Sequence, residues 1–137
     1  MTIVVDTSVV LALLDRGDRD HVAVRDWAAA VDEDLFTSPL AVAEIDRLLA
    51  THGGPAAREA LRGDLDSGAY NVRWWADGVA DMLAVVRDRP ELGLTDASLV
   101  ALAERLRTRR IATLDVERFR PVTDRDGKPF TLLPADA

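Results

Sequence analysis

Asp6 and Asp115 each follow an apolar run directly, Ile3-Val4-Val5 and Ile111-Ala112-Thr113-Leu114, while Glu44 lies among Ala41, Ile45 and Leu48, and Asp96 follows Thr95 at the head of a long apolar pattern. Four carboxylates gathered in one place could hold a divalent cation. Unit charges about 4 Å apart repel by on the order of 4 kcal/mol at an effective dielectric near 20, so a cation relieves such a cluster. The chain has no cysteine, which excludes disulfides, thiolate sites and cysteine nucleophiles, and only His21 and His52 offer imidazole. Any metal is therefore expected to be a hard ion on oxygen ligands, magnesium or manganese. Such an ion lowers the pKa of a bound water and polarises a phosphoryl oxygen, which suits hydrolysis.

Each acid also has a plainer reading. Glu44 sits beside the apolar stripe of its helix, with Arg47 off that stripe, so its charge needs a partner from elsewhere: a cation, a distant arginine or solvent. Asp96 opens a helix, where an acid is favoured by the dipole and by free N–H groups, so capping explains it as well as catalysis does. Asp6 and Asp115 are good turn formers, and 24 acids in 137 residues allow coincidence. The four act together only if the first and fourth strands lie side by side.

Those strands belong to a legible series. Ile3 to Val5, Leu35 to Thr37, Ala69 to Val72, Ile111 to Leu114 and Phe130 to Leu133 read as five strands, the third weak. Helical spacing predicts helices ending at Leu14, over about Asp20 to Val31, after Pro39 to about Thr51, after Pro55 to about Leu65, over Trp75 to Arg87, and over Thr95 to Arg107. Strands alternating with helices imply a mainly parallel sheet covered on both faces, with ligands beyond the carboxyl ends of the strands. No repeat or linker divides residues 1–137, so one domain is expected.

The net charge of −7 argues against recognition of nucleic acid by bulk electrostatics, although a bound divalent ion reverses that sign locally. No apolar run is long enough to span a bilayer, and Asp6 comes too early for a signal peptide, so a cytoplasmic protein is expected.

The segments Ile3-Val4-Val5-Asp6-Thr7-Ser8, Ser38 to Ile45, Leu92 to Glu104 with its Leu-Thr-Asp-Ala-Ser block, and Ile111-Ala112-Thr113-Leu114-Asp115 resemble the PIN-domain family, specifically VapC-type toxins. The order and spacing match along nearly the whole chain. The resemblance implies a three-layer α/β/α sandwich around a five-stranded sheet and a magnesium- or manganese-dependent endoribonuclease. It also implies a homodimer, inhibited by a small VapB-like antitoxin that sits near the acidic pocket. Asp6, Glu44, Asp96 and Asp115 take the family's acidic metal-site positions. Thr7, Ser8 and Thr113 could orient a carboxylate or a water, and Glu117 is the nearest candidate for a further acid.

Other residues carry weaker signals. Arg105, Arg107, Arg109 and Arg110 crowd a helix end, which suits the dipole; with Arg118 and Arg120 they could instead line a path for RNA phosphates. Trp74 and Trp75 cannot both point into one core from a regular element, so one could be exposed to stack on a base or anchor a partner, although packing under a neighbouring helix is the favoured reading. His21 and His52 read as ordinary histidines, and Asp124-Arg125-Asp126-Gly127 as a solvent turn rather than a calcium loop. A phosphoaspartyl phosphatase would want an aspartate where Ser8 stands, and a receiver domain would want a lysine after its last strand, where Lys128 is not. The competing reading from another class is an inactive PIN-like domain that binds a partner and regulates through it.

Overall fold

A computed structural model describes residues 1–137. Five strands, β1 (Thr2–Val5), β2 (Asp34–Thr37), β3 (Asn71–Val72), β4 (Arg110–Ala112) and β5 (Thr131–Leu133), form one sheet in the order β3-β2-β1-β4-β5. Every pairing is parallel, with Ile3 opposite Leu35, Val4 opposite Ile111 and Ile111 opposite Leu132. The sequence led to a mainly parallel sheet; all of it is parallel, and β1 and β4 are neighbours at its centre. Parallel strands need long crossovers, and the helices supply them.

The helices are α1 (Thr7–Leu14), α2 (His21–Ala29), α3 (Pro39–His52), α4 (Gly54–Ser67), α5 (Gly78–Asp88), α6 (Leu94–Arg105) and the short α7 (Val116–Phe119). Alternation along the strands sorts them into layers. Ile3 and Val5, with Ala112 and Leu133, face a core built from α1, α2, α3 and α4 through Val9, Val24, Ile45 and Leu61. Val4, Ile111 and Leu132 face the other way, onto Leu99, Leu102 and Ala103 of α6 and Phe119 of α7. The result is the expected α/β/α sandwich.

From Asp96 to Ala103 every residue of α6 is buried, because this helix is covered by the sheet on one side and by α3 and α5 on others. No helix is long and apolar enough to cross a membrane.

Local chemistry fixes several element ends. Ser38 caps α3 by accepting from the Ala41 N–H at 3.2 Å, and Pro39 follows at the first helical position, where a missing N–H costs least. Trp74 presses so closely on Gly78 that a Cβ there would lie 2.5 Å from its ring, so only glycine lets α5 begin under that indole.

Candidate active site

The carboxyl ends of β1 and β4 deliver Asp6 and Asp115 to the same edge of the sheet, because the two strands pair in parallel register, Val5 beside Ala112. Asp6 is 1% exposed, and its N–H bonds the Ala112 carbonyl at 2.8 Å, which joins the two strand ends. It occupies the cap position of α1 but makes no capping hydrogen bond with its side chain. Its Oδ2 instead accepts from Ser8 Oγ at 2.8 Å and from Thr113 Oγ1 at 2.8 Å.

Those two hydroxyls also accept from the loop that carries Asp115: Leu114 N–H donates to Ser8 at 3.0 Å, and Asp115 N–H to Thr113 at 3.0 Å. A closed ring of hydrogen bonds thus fixes one carboxylate against the backbone of the other. Of the three hydroxyl residues singled out from the sequence, Ser8 and Thr113 perform this role. Thr7 does not, since its buried Oγ1 has no hydrogen-bond partner.

Asp96 lies in the first turn of α6, where the helix dipole favours an acid, and the cap position itself is Gly93. Burial pushes its carboxyl up to about 6; Arg118 opposes that shift, while the charges of Asp6, Glu44 and Asp115 add to it. Its effect on Asp96 places Glu44 within the electrostatic field of the site. Glu44 is half-buried on α3.

A hydroxyl relay sets α3 against α6. Ser98 Oγ donates to the Thr95 carbonyl at 2.6 Å and lies 2.7 Å from Ser38 Oγ, the cap of α3. Both serines are fully buried. The relay therefore couples the helix bearing Glu44 to the turn bearing Asp96, and sequence reasoning had found neither serine's partner.

Arg118 completes the arrangement. Its Nε lies 2.8 Å from Asp96, one terminal nitrogen 2.8 Å from Asp115 and the other 3.9 Å from Asp6. Three carboxylates thus converge on one cation, and Glu44 is the acid it leaves unpaired. As placed, no three acids form a ligand set for a metal ion, and the Arg118 guanidinium lies among them. The donor set nonetheless fits a hard divalent cation. The ligands are carboxylate oxygens on rigid supports, and a positive group already occupies the point where they meet.

Other candidates fall elsewhere. Arg109 and Arg110 stand at the start of β4, the opposite end of the sheet from Asp115, beside a cavity of about 780 Å³ with Arg107 and Arg125. There Arg110 pairs with Glu33 at 2.9 Å and Arg109 with Asp124 at 2.6 Å, so the expected arginine path is not formed by these residues. Arg120 clasps Asp136. Glu117 is exposed and turned to no partner, and only Arg118 of the group reaches the acids.

Trp74 and Trp75 are both half-buried with ring centroids 4.9 Å apart, Trp74 lying on Gly78 and Trp75 donating to Asp81 at 2.8 Å, so both pack against α5, the reading the sequence favoured. His21 bonds the Ala12 carbonyl at 2.7 Å, a structural role. The Asp124 loop is the turn expected, its carboxylate accepting from the Asp126 and Lys128 N–H groups. Beside the acids lies an open depression of about 590 Å³, with Ser8, Leu114 and Asp115 on one side and Arg19 on the other.

The PIN domain family matches residues 3–123. Ribonuclease VapC26 of Mycobacterium tuberculosis (strain ATCC 25618 / H37Rv) is 34% identical over 134 residues, which span 96% of this chain and 99% of that protein. In structure the chain is similar to Mycobacterium tuberculosis VapC20, described as a sarcin-ricin loop cleaving toxin. The TM-score is 0.76 at 24% identity, over 84% of this chain and 91% of the other.

Proposed function

The chain belongs to the PIN-domain family, and we propose on that premise that it is a VapC-type endoribonuclease, the toxin of a VapBC-type pair, cutting RNA at the acidic pocket. The observation that carries the reading is the convergence of Asp6, Asp96 and Asp115 on a single positive group. Asp6, Glu44, Asp96 and Asp115 are the residues that would hold a magnesium or manganese ion. Bound there, the ion supplies a water of lowered pKa and polarises the scissile phosphoryl group.

The chain's own part is preorganisation. Ser8 and Thr113 hold the Asp6 carboxylate in one orientation through two hydrogen bonds to its Oδ2. The Ser38–Ser98 relay keeps Glu44 and Asp96 at a fixed separation. Burial raises the Asp96 carboxyl to about 6, and a cation bound in the pocket would favour its ionised form. The depression beside Asp115 gives an RNA strand a place to lie. A VapB-like antitoxin, a homodimeric assembly and a cytoplasmic setting belong to the same reading.

The test uses purified protein freed of antitoxin, incubated with structured and unstructured RNAs. Cleavage is expected with magnesium or manganese and not in EDTA. Asp96→Asn is expected to lower the rate at least about a hundredfold with the circular dichroism spectrum intact. Cleavage that persists in EDTA would sink the metal mechanism, and an Asp96→Asn protein of full activity would remove Asp96 from it.

A further inference from the structure

We propose that Arg118 is a built-in, displaceable counter-ion: it neutralises the acids in the metal-free protein and must leave before a divalent cation can take them. The proposal rests on the reading of Asp6, Glu44, Asp96 and Asp115 as a cation site, and it concerns a residue outside that quartet.

Geometry is the first ground. Each of the three guanidinium nitrogens addresses a different carboxylate, so the planar fork is spent wholly on the acids. It makes no other ion pair, and it lies 5.7 Å from the centre of the Phe119 ring beside it. A guanidinium stays charged at any pH a protein survives, so protonation cannot release it. A competing cation can.

Mobility is the second. The Arg118 side chain is 43% exposed, whereas the Asp6 and Asp96 side chains it meets are 1% and 11% exposed. The cation can swing to solvent, as can Asp115, which is 41% exposed, while Asp6 and Asp96 cannot follow. Its support, α7, is four residues long and anchored by the buried Phe119, so the backbone keeps its place when the side chain leaves.

Charge is the third. Four carboxylates against one guanidinium leave the cluster negative, and that residual charge draws in an ion of higher valence. Exchange of Arg118 for such an ion lets the acids close into a ligand set, which they do not form while the guanidinium lies among them. Arg118 thereby raises the metal concentration at which the site fills. It acts as a brake on the metal-free protein and keeps a repulsive cluster stable until metal arrives.

The experiment measures Mn²⁺ binding by calorimetry, and melting temperature with EDTA or with saturating Mn²⁺, on the full chain and on Arg118→Met and Arg118→Gln. Loss of three partly screened ion pairs should tighten Mn²⁺ binding by about tenfold in both variants. Their melting temperatures should fall in EDTA and match the parent in Mn²⁺. An unchanged affinity overturns the proposal while leaving the cation site standing, and so does a melting loss that persists in Mn²⁺, which marks a merely structural arginine. If neither parent nor variants bind Mn²⁺, the cation-site reading fails and this proposal fails with it.

Discussion

Asp6 shows how far a single residue's surroundings decide its use. Its place after an apolar strand was legible, but the hydroxyls that hold it come from Ser8, two residues on, and Thr113, across the sheet. Replacing Thr113 by valine keeps shape and removes one donor from a buried carboxylate. Groups of this supporting kind are typically worth 10–100-fold in metal affinity. Thr113→Val is therefore expected to weaken Mn²⁺ binding and RNA cleavage together by about that factor. Parent-like affinity in a folded Thr113→Val protein would show that the ring of hydrogen bonds is not needed. The acids drew attention in the sequence because Asp6 and Asp115 follow apolar runs, Asp96 opens one and Glu44 sits beside an apolar stripe. Arg118 could not, being one of sixteen arginines, distinguished only by standing three residues after Asp115.

Elements transmit these constraints, and the least visible ones in sequence proved the most useful. The four-residue α7 was not foreseen, since so short a helix has no periodicity to detect, yet it carries Arg118 and buries Phe119. Its far end is tied to the last strand: Arg120 meets Asp136 with two bonds of 2.8 Å, and Asp136 also accepts from the Leu132 N–H at 2.7 Å. The Arg120 hydrogen bonds, foremost, and the Leu132 N–H hold the Asp136 carboxyl down at about 2. The folded value lies below the unfolded one, so the stabilisation is fully present above about pH 4 and is lost as pH falls through about 2. Asp136→Asn should accordingly lower the melting temperature at pH 6, and the gap to the parent should close as pH approaches 2. A gap that stays constant over that range would show that the clasp contributes no charge-dependent stability. By contrast, the strands and long helices were legible almost throughout, because burial on both faces writes continuous apolar runs and 3.6-residue stripes into the chain.

At the scale of the molecule, a ribonuclease of net charge −7 must bind a polyanion with little help from its overall field. Five arginines are committed to carboxylates, Arg58 to Asp46, Arg109 to Asp124, Arg110 to Glu33, Arg120 to Asp136 and Arg125 to Glu104. Sequence alone could not reveal this, because these pairs join residues far apart in the chain. At the depression beside Asp115, Arg19 is the cation free to meet a phosphate: its side chain is 94% exposed, and its contact with Asp20, at 3.6 Å, is loose. A strand bound at a depression lined by Arg19 as its basic residue should show a shallow salt dependence. Each phosphate neutralised on a single strand adds about 0.7 to the slope of log affinity against log salt, so a slope no steeper than about −2 is expected. Arg19→Gln should weaken oligonucleotide binding and reduce that slope by about 0.7, while Mn²⁺ affinity stays at the parent value. Fluorescence anisotropy across a salt series measures both quantities. A steep slope untouched by the substitution would place the RNA on another face of the molecule, away from the acids that would have to cut it.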